Sequence, residues 1–268
     1  MRPDHGGCWL WPSADGSSAT QGGPLALPSV SPARPTDSFP SPSLPTVTDV
    51  DEEEGLRAAD GRMPGRRGRA TRQKLLEQTA EMVHSTPFRD LKVVDIARQA
   101  GTSPATFYQY FPDVEAAILV LAEEMAQQIP ELGAMAKERS WKGRAGYDTA
   151  AALVEAFMEF WETHRAVLRV VDLATAEGDD RFRKIRSQLL NPLTRALADA
   201  IERQQATSKH PDDLDPMASA GVLVAMLAHV ASHRYGFEFW GIRTPDTTRS
   251  MARIVHTTVT GQKPPADS

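Results

Sequence analysis

The chain has 268 residues, enough for one large domain or two modest ones, and a formal net charge of −5 at pH 7. This charge does not by itself indicate a nucleic-acid partner. The single cysteine, Cys8, excludes a disulfide framework and a cysteine-based zinc finger. No apolar run approaches the roughly 20 residues of a membrane span, and the N-terminus lacks the apolar core of a signal peptide. We therefore expect a cytoplasmic protein without a membrane partner.

Residues 1–62 differ in composition from the rest of the chain. Pro, Ser, Gly and Thr dominate, and helical periodicity is absent. Such a segment cannot bury enough apolar surface to offset its ordering entropy, so we predict a disordered tail. We also hypothesise that translation begins at Met63, because the folded pattern starts directly after it. The basic residues that follow, Arg69 and Arg72 among them, form either a solubilising arm or, as we favour, an arm that lies along DNA phosphates.

The stretch Val93–Phe111, VVDIARQAGTSPATFYQYF, predicts two short helices joined by a tight turn. Apolar residues recur at helical spacing in its first half. Gly101 can adopt the left-handed conformation that ends a helix, Ser103 suits an N-cap, and Pro104 suits the first helical position. In the second helix Phe107 should face the core, whereas Thr106, Tyr108 and Gln109 have no evident internal partner. This pattern indicates a helix-turn-helix with an outward-facing recognition helix.

From Arg69 to Met125 the chain resembles the DNA-binding domain of the tetracycline-repressor (TetR) family of bacterial regulators. Four segments carry the resemblance: TRQKLLEQTAEMV (Thr71–Val83), DIARQAG (Asp95–Gly101), TFYQYF (Thr106–Phe111) and FPDVEAAI (Phe111–Ile118). It implies an all-α protein, with a three-helix helix-turn-helix DNA-binding domain over residues 63–125 and a larger helical ligand-binding and dimerisation domain over residues 126–261. A second disordered tail is expected over residues 262–268.

The resemblance also implies which residues contact an operator in double-stranded DNA. Lys92, Ser103, Thr106 and Tyr108 should touch backbone phosphates, and Thr102, Pro104, Ala105 and Gln109 should approach base edges. The chemistry agrees in part, because a glutamine can bond bidentately to adenine and an alanine methyl can contact that of thymine. Two questions stay open. Tyr108 either contacts a phosphate or is merely half-buried, and Tyr110 belongs either to the core or to the phosphate contacts. In the helix that precedes this motif, Leu75 and Leu76 should face inward and Arg72 outward.

The C-terminal half reads as helical throughout, without strand alternation. The predicted segments are Asp113–Lys137, Arg144–His164, Arg165–Ala176, Asp179–Ala206, Asp215–Trp240 and Pro245–Thr260. Gly178, Pro211 and Gly241 lie between segments, where helix breakers belong. Pro192 falls inside the fourth segment and should kink it.

Two helical stripes predict a homodimer. Small residues recur every three or four positions in the fifth segment, at Ala218, Gly221, Ala225, Ala228 and Ser232, and such a stripe permits close helix approach. In the last helix an apolar face is formed by Met251, Ile254, Val255 and Thr258. Members of the family resembled pair their last two long helices with those of a second copy. The alternative is that both stripes pack inside one chain.

A pocket for a small hydrophobic effector is implied by the resemblance. Its candidate lining residues are Phe157, Trp161, Leu168, Asp172, Met226 and His233. Aromatic residues and methionines at helical spacing are equally compatible with a plain core. His229 and His233 lie one turn apart, a spacing that can bind metal, but no third ligand accompanies them, and we expect neither a metal nor a cofactor.

These features predict a ligand-responsive transcriptional regulator, a repressor that binds a palindromic operator and is released by its effector. A phosphate-binding glycine loop, GxSxG and HExxH are all missing from the sequence, so we do not expect an enzyme. The alternative is a helical small-molecule binding protein that has lost specific DNA binding. Its support is Pro104, together with Val114, which stands where the family commonly carries a phosphate-contacting lysine.

Overall fold

The structure is a computed structural model that describes residues 65–206, 210–211 and 213–265. Every regular element in those ranges is a helix, as predicted. We number the α-helices α1 Arg66–Ser85, α2 Val93–Gln99, α3 Pro104–Tyr110, α4 Val114–Ala126, α5 Pro130–Glu138, α6 Gly143–Thr163, α7 Arg165–Ala176, α8 Asp180–Gln205, α9 Pro216–Ser232, α10 Arg234–Phe239 and α11 Thr244–Thr260. A 3₁₀ turn, Phe88–Asp90, connects α1 to α2. The predicted tail over residues 1–62 and the start hypothesised at Met63 lie outside the described residues.

Two predicted segments are each divided into two helices. The first breaks between Ala126 and Pro130, at a point where Ile129 is buried and continues the apolar pattern. The second breaks at His233, which ends α9 and precedes α10. Pro192 lies inside α8, which continues as one helix on both sides of it. Gly178 and Gly241 have positive φ angles of 94° and 79°, the conformation expected of glycines between helices.

Helices α1 to α4 form an N-terminal bundle around one apolar core. Fully buried side chains come from each of its four helices: Leu75, Leu76, Ile96, Ala97, Phe107, Ala117 and Ile118. Side-chain caps define where two of these helices begin. The Ser103 hydroxyl accepts the Thr106 backbone N–H at 3.1 Å before α3, and Asp113 accepts the Ala116 N–H at 2.7 Å before α4. The orientation of α3 is thus set by a buried anchor and a local cap.

Helices α5 to α11 form the C-terminal bundle, in which α8 packs against α5, α7, α9 and α11. The approach of α5 to α8 is close, because a Cβ added at Gly133 would lie 3.3 Å from the Pro192 carbonyl oxygen. Before α6, the Trp141 indole N–H donates to the Ala136 carbonyl at 2.8 Å. None of the helices in the described ranges is long and apolar enough to span a membrane.

The two bundles meet where α1 packs against α7 and where α4 packs against both α7 and α8. An ion pair between Arg89, in the turn after α1, and Glu177, at the end of α7, joins the same elements. A cavity of about 340 Å³ lies between the end of α1, the Phe88–Asp90 turn and α7. We call it the junction cavity. These helix–helix contacts and an exposed ion pair therefore join the two bundles.

Candidate nucleic-acid interface and sensor core

Local chain chemistry positions the α3 helix. Gly101 has a φ of 67°, so the left-handed conformation predicted for the end of the preceding helix is confirmed. Ser103 is the N-cap, as predicted, and its hydroxyl also lies 3.0 Å from the Thr106 hydroxyl. Pro104 occupies the first turn, where its missing N–H removes no helical hydrogen bond. Because α3 has only seven residues, its rigidity depends on this cap and on burial of Phe107.

One side of α3 is sealed and the other is open. Phe107 is fully buried and packs against Phe111 with ring centroids 5.5 Å apart. Tyr108 is 53% exposed, so about half of its side chain is accessible to a partner. Its hydroxyl forms no hydrogen bond to any described residue and is free to meet a phosphate. Tyr110 is partly buried and packs against the core, which favours the core alternative for that residue.

The remaining predicted DNA contacts of the turn and of α3 lie on the open side. Ser103, Ala105 and Gln109 are exposed, and Thr102, Pro104 and Thr106 are half-buried around them. Together they present hydroxyl, amide and methyl groups, which is the chemistry used for phosphate and base-edge contacts. Lys92 is exposed at the residue before α2, and Arg69 is exposed near the start of α1. The structure therefore leaves these predicted residues accessible on α3 and its turn, at the residue before α2 and near the start of α1.

The outward orientation predicted for Arg72 is wrong. Its side chain is only 7% exposed, and the guanidinium lies 5.2 Å from the centroid of the Phe111 ring. Burial lowers the pKa of Arg72 below its ordinary value, while the charges of Glu124 and Glu123 act in the opposite direction. The buried guanidinium packs on the ring of Phe111 and so stabilises the contact between α1 and the end of α3. Arg72 is thus a packing residue, and it does not belong to the exposed basic surface.

Sequence reasoning missed Arg98, an exposed cation on α2 beside the recognition helix. It donates to Asp95 at 2.7 Å, one turn earlier on the same helix. The i,i+3 spacing of opposite charges was a usable signal for this pair. Val94 was also missed, and it is 57% exposed on α2. Val114, by contrast, is buried in the core, so this position presents no side chain at the surface that a phosphate could contact.

Exposed apolar side chains are concentrated on the last helices. Within the described ranges, large hydrophobic residues are exposed at Met217, Val222, Tyr235, Phe239, Trp240, Ile242 and Ile254, whereas the N-terminal bundle exposes only Val94 and Tyr108. Along α9 an exposed stripe runs Ala218, Val222, Ala225 and His229. We call this stripe the α9 face. An exposed apolar stripe of this kind is typical of a surface that contacts another molecule.

The predicted stripes are each divided between interior and surface. On α9, Ala228 is buried, Gly221 and Ser232 are half-buried, and Ala218 and Ala225 are exposed. On α11, Met251 and Val255 are buried inside the chain and Thr258 is half-buried, whereas Ile254 is 46% exposed. The alternative of packing within one chain therefore applies to Met251, Val255 and Ala228. The exposed remainder is available to a second copy.

The six candidate effector contacts lie in different environments. Phe157 and Trp161 are buried and stacked, with centroids 5.2 Å apart, and Leu168 is buried as well. Met226 is half-buried against the same core. None of the six lines the junction cavity. Asp172 is half-buried and accepts the Arg186 Nε–H at 2.9 Å, so that its carboxylate already has a cationic partner on α8.

His233, the sixth candidate, is exposed. Its ring stacks on that of His229 at 4.2 Å, and its Nδ1 lies 2.9 Å from the His229 carbonyl oxygen. Over the described part of the chain no cluster of three or more His, Cys, Asp and Glu side chains is arranged to hold a metal ion. Two other histidines are perturbed: burial lowers the pKa of His164 and of His256 below the ordinary histidine value. Their neutral forms are favoured in the folded chain.

Comparison with known protein families gives two matches that together cover most of the described residues. The family model described as bacterial regulatory proteins, tetR family, matches residues 75–116, which contain the helix-turn-helix. The model described as the tetracyclin repressor-like C-terminal domain matches residues 132–266.

Solved structures show the same fold. The fatty acid degradation regulator FadR from Bacillus halodurans is 16% identical, with a TM-score of 0.52 over 74% of this chain and 97% of that one. A TetR-family transcriptional regulator from Rhodococcus sp. is 19% identical, with a TM-score of 0.53 over 71% and 99% of the two chains. FadR from Bacillus subtilis, solved in complex with stearoyl-CoA, is 17% identical, with a TM-score of 0.52 over 71% and 98%.

Proposed function

The chain belongs to the tetracycline-repressor family of bacterial regulatory proteins, and on this premise we propose that it is a ligand-responsive transcriptional repressor. It binds a palindromic operator as a homodimer and is released when a small hydrophobic effector binds the C-terminal bundle. DNA binding, the homodimer and the effector are supported by different observations, and each can be refuted without the others.

The observation that carries the DNA-binding part is the two-sided character of α3. Phe107 holds one side in the core, while Tyr108 and Gln109 project from the other without internal hydrogen-bond partners in the described chain. Burying such groups without partners would be costly, so the free side suits a polar surface such as the major groove. Arg69 near the start of α1 and Lys92 before α2 add exposed positive charge to the N-terminal bundle.

The homodimer is supported by the α9 face and by Ile254 on α11. Val222 is 69% exposed at the centre of a stripe that otherwise consists mainly of alanines, which permit close approach of a second helix. A single α3 reads only a few base pairs, and a two-fold pair doubles the contacts on a palindromic site. A symmetric pair buries the same face in both copies, so one patch serves both partners.

The effector is assigned to the core around Phe157 and Trp161, with Leu168, Met226, Asp172 and His233 as the other candidate contacts. The ion pair of Asp172 with Arg186 places a fixed polar group beside an apolar core, the combination that ligand sites use for orientation. The stearoyl-CoA bound to Bacillus subtilis FadR makes acyl-CoA thioesters the first probes to apply. An effector shifts DNA affinity only to the extent that it binds the released form more tightly.

Selection from a pool of random duplexes, with the full chain as bait, tests the proposal. We expect enrichment of a palindrome whose half-sites lie about one helical turn, roughly 34 Å, apart. Gln109→Ala should relax the consensus at one or two positions in each half-site, whereas Gln188→Ala, an exposed glutamine on α8, should leave it unchanged. A pool that stays random even at low salt would favour the alternative of a small-molecule binding protein without specific DNA binding. A promoter fusion then distinguishes repression from activation.

A further inference from the structure

The junction cavity has an apolar floor built from both bundles. Val83 of α1 and Ala166 and Val170 of α7 line it and are buried, and Phe88 adds a half-buried aromatic ring from the connecting turn. These side chains would be in contact with any molecule that fills the space. Such a floor suits the hydrocarbon part of a ligand, because it offers no hydrogen bonds to a polar one.

The rim of the cavity carries two arginines, and one of them, Arg169, has no carboxylate partner within the described ranges. Arg89 and Arg169 line it and are exposed, and His84 lines it as well, whereas no aspartate or glutamate is among its lining residues. Arg89 is paired with Glu177 outside the lining, and Arg169 forms no ion pair with any described residue. A guanidinium provides a planar pair of donors that matches a carboxylate or a phosphate. The rim therefore selects for an anion.

The volume of the cavity limits the size of the ligand. Its 340 Å³ corresponds to about eleven water molecules at roughly 30 Å³ each, and it lies at the lower end of the range for small-molecule sites. A ligand of about ten non-hydrogen atoms fills it. That size matches a medium-chain organic acid.

We propose that the junction cavity binds a small amphipathic anion, with its hydrocarbon part on Val83, Phe88 and Val170 and its carboxylate or phosphate on Arg169. This site is separate from the effector core around Phe157. The anion also competes with Glu177 for Arg89, the residue whose ion pair links the turn after α1 to the end of α7. Binding there alters the contact between the N-terminal bundle and the C-terminal bundle. This last consequence, but not the site itself, rests on the proposed function.

Calorimetric titration of the full chain with octanoate tests the site without DNA. Octanoate has the required size and charge, octyl phosphate has the alternative head group, and octan-1-ol has the same chain without charge. We expect at least one of the two anions to bind, with octan-1-ol at least tenfold weaker. Whichever of the two binds more tightly identifies the head group that Arg169 prefers.

Three variants locate the binding. Arg169→Gln should weaken it at least tenfold, and Ser85→Trp, which enters the cavity from an exposed lining position, should abolish it. Arg195→Gln, which removes an exposed arginine on α8 outside the cavity, should bind as the wild type does. The proposal is overturned if neither anion binds, if octan-1-ol binds as tightly as they do, or if Arg195→Gln is as damaging as Arg169→Gln. If neither Arg169→Gln nor Ser85→Trp weakens binding, the proposal is overturned as well.

A second titration, with the anion added to the chain bound to its selected DNA, tests the consequence. A changed DNA affinity in the wild type, absent in Arg169→Gln, supports coupling through the junction. Anion binding with unchanged DNA affinity refutes the coupling while the site stands. Failure to bind DNA at all refutes the proposed function and leaves the calorimetric result valid.

Discussion

Replacing Val222 by glutamate should separate the two copies of the proposed dimer. Val222 is 69% exposed in a single chain and lies in the α9 face between Ala218 and Ala225. Complete burial of a valine side chain contributes about 1.5–3 kcal/mol, so covering the exposed two-thirds contributes about 1–2 kcal/mol in each copy. Two-fold symmetry counts that contribution twice.

The substitution should therefore weaken the dimer by about 2–4 kcal/mol, which is about a 30- to 1,000-fold increase in the dissociation constant. The glutamate adds a further cost, because two carboxylates would be desolvated at one interface without partners. Folding of the chain should be unaffected, since the side chain faces water in the monomer. The melting temperature, measured below the dissociation constant of the dimer, should stay at the wild-type value.

Sedimentation velocity over a concentration series measures the effect. Val94→Glu is the matched control, because Val94 is also a valine, is 57% exposed, and lies on α2 far from α9 in the chain. The reasoning is refuted if Val222→Glu sediments as the wild type does, or if Val94→Glu dissociates the dimer equally. A wild-type chain that is monomeric at every concentration refutes the dimer itself.

Three further predictions concern the DNA surface, the core and pH. Tyr108→Phe should lower DNA affinity about 100-fold on every sequence, because each copy of the dimer loses one hydrogen bond to a charged group, which contributes about 1.5 kcal/mol. Fluorescence anisotropy with two unrelated operators detects it, and a loss on one operator alone would contradict a phosphate contact. Gly146→Ala should destabilise the chain by about 1–3 kcal/mol, because the new Cβ would lie 2.6 Å from the Trp141 carbonyl carbon. Urea unfolding measures the change, and a variant as stable as the wild type would show that α6 shifts freely. The free energy of unfolding should fall as pH drops below about 6.5, because burial lowers the pKa of His256 and of His164 and the unfolded chain then binds more protons. His256→Gln should lose less stability than the wild type between pH 7.5 and 5, and an equal loss would assign the effect to other groups.

Local chemistry was readable from the sequence around α3. The glycine at 101, the N-cap at Ser103 and the proline after it act through atoms within a few residues, so their spacing alone predicted the turn. The burial of Phe107 followed from helical periodicity in the same way. Of the three residues predicted to face outward without a partner, Tyr108 and Gln109 are exposed, whereas Thr106 is half-buried with its hydroxyl 3.0 Å from that of Ser103.

Features that depend on distant contacts were not readable. Arg72 is buried because Phe111, far along the chain, brings its ring under the guanidinium, and composition alone gives a cation an outward preference. The Arg89–Glu177 pair joins residues 88 positions apart, so no periodic pattern marks it. The helix break before Pro130 was missed for another reason. Ile129 continues the apolar pattern through the break, and periodicity therefore predicts a single helix.

The close approach of Gly133 to the Pro192 backbone restricts which residue can stand at position 133. A side chain added at residue 133 would press on the Pro192 backbone, so a larger residue there should push α5 away from α8. Since α4 packs against α7 and α8 as well, any reorientation of α4 must change those contacts together with the backbone between Ala126 and Pro130. We expect that shortening or stiffening the interruption before Pro130 restricts the orientation of α4 while leaving each bundle folded.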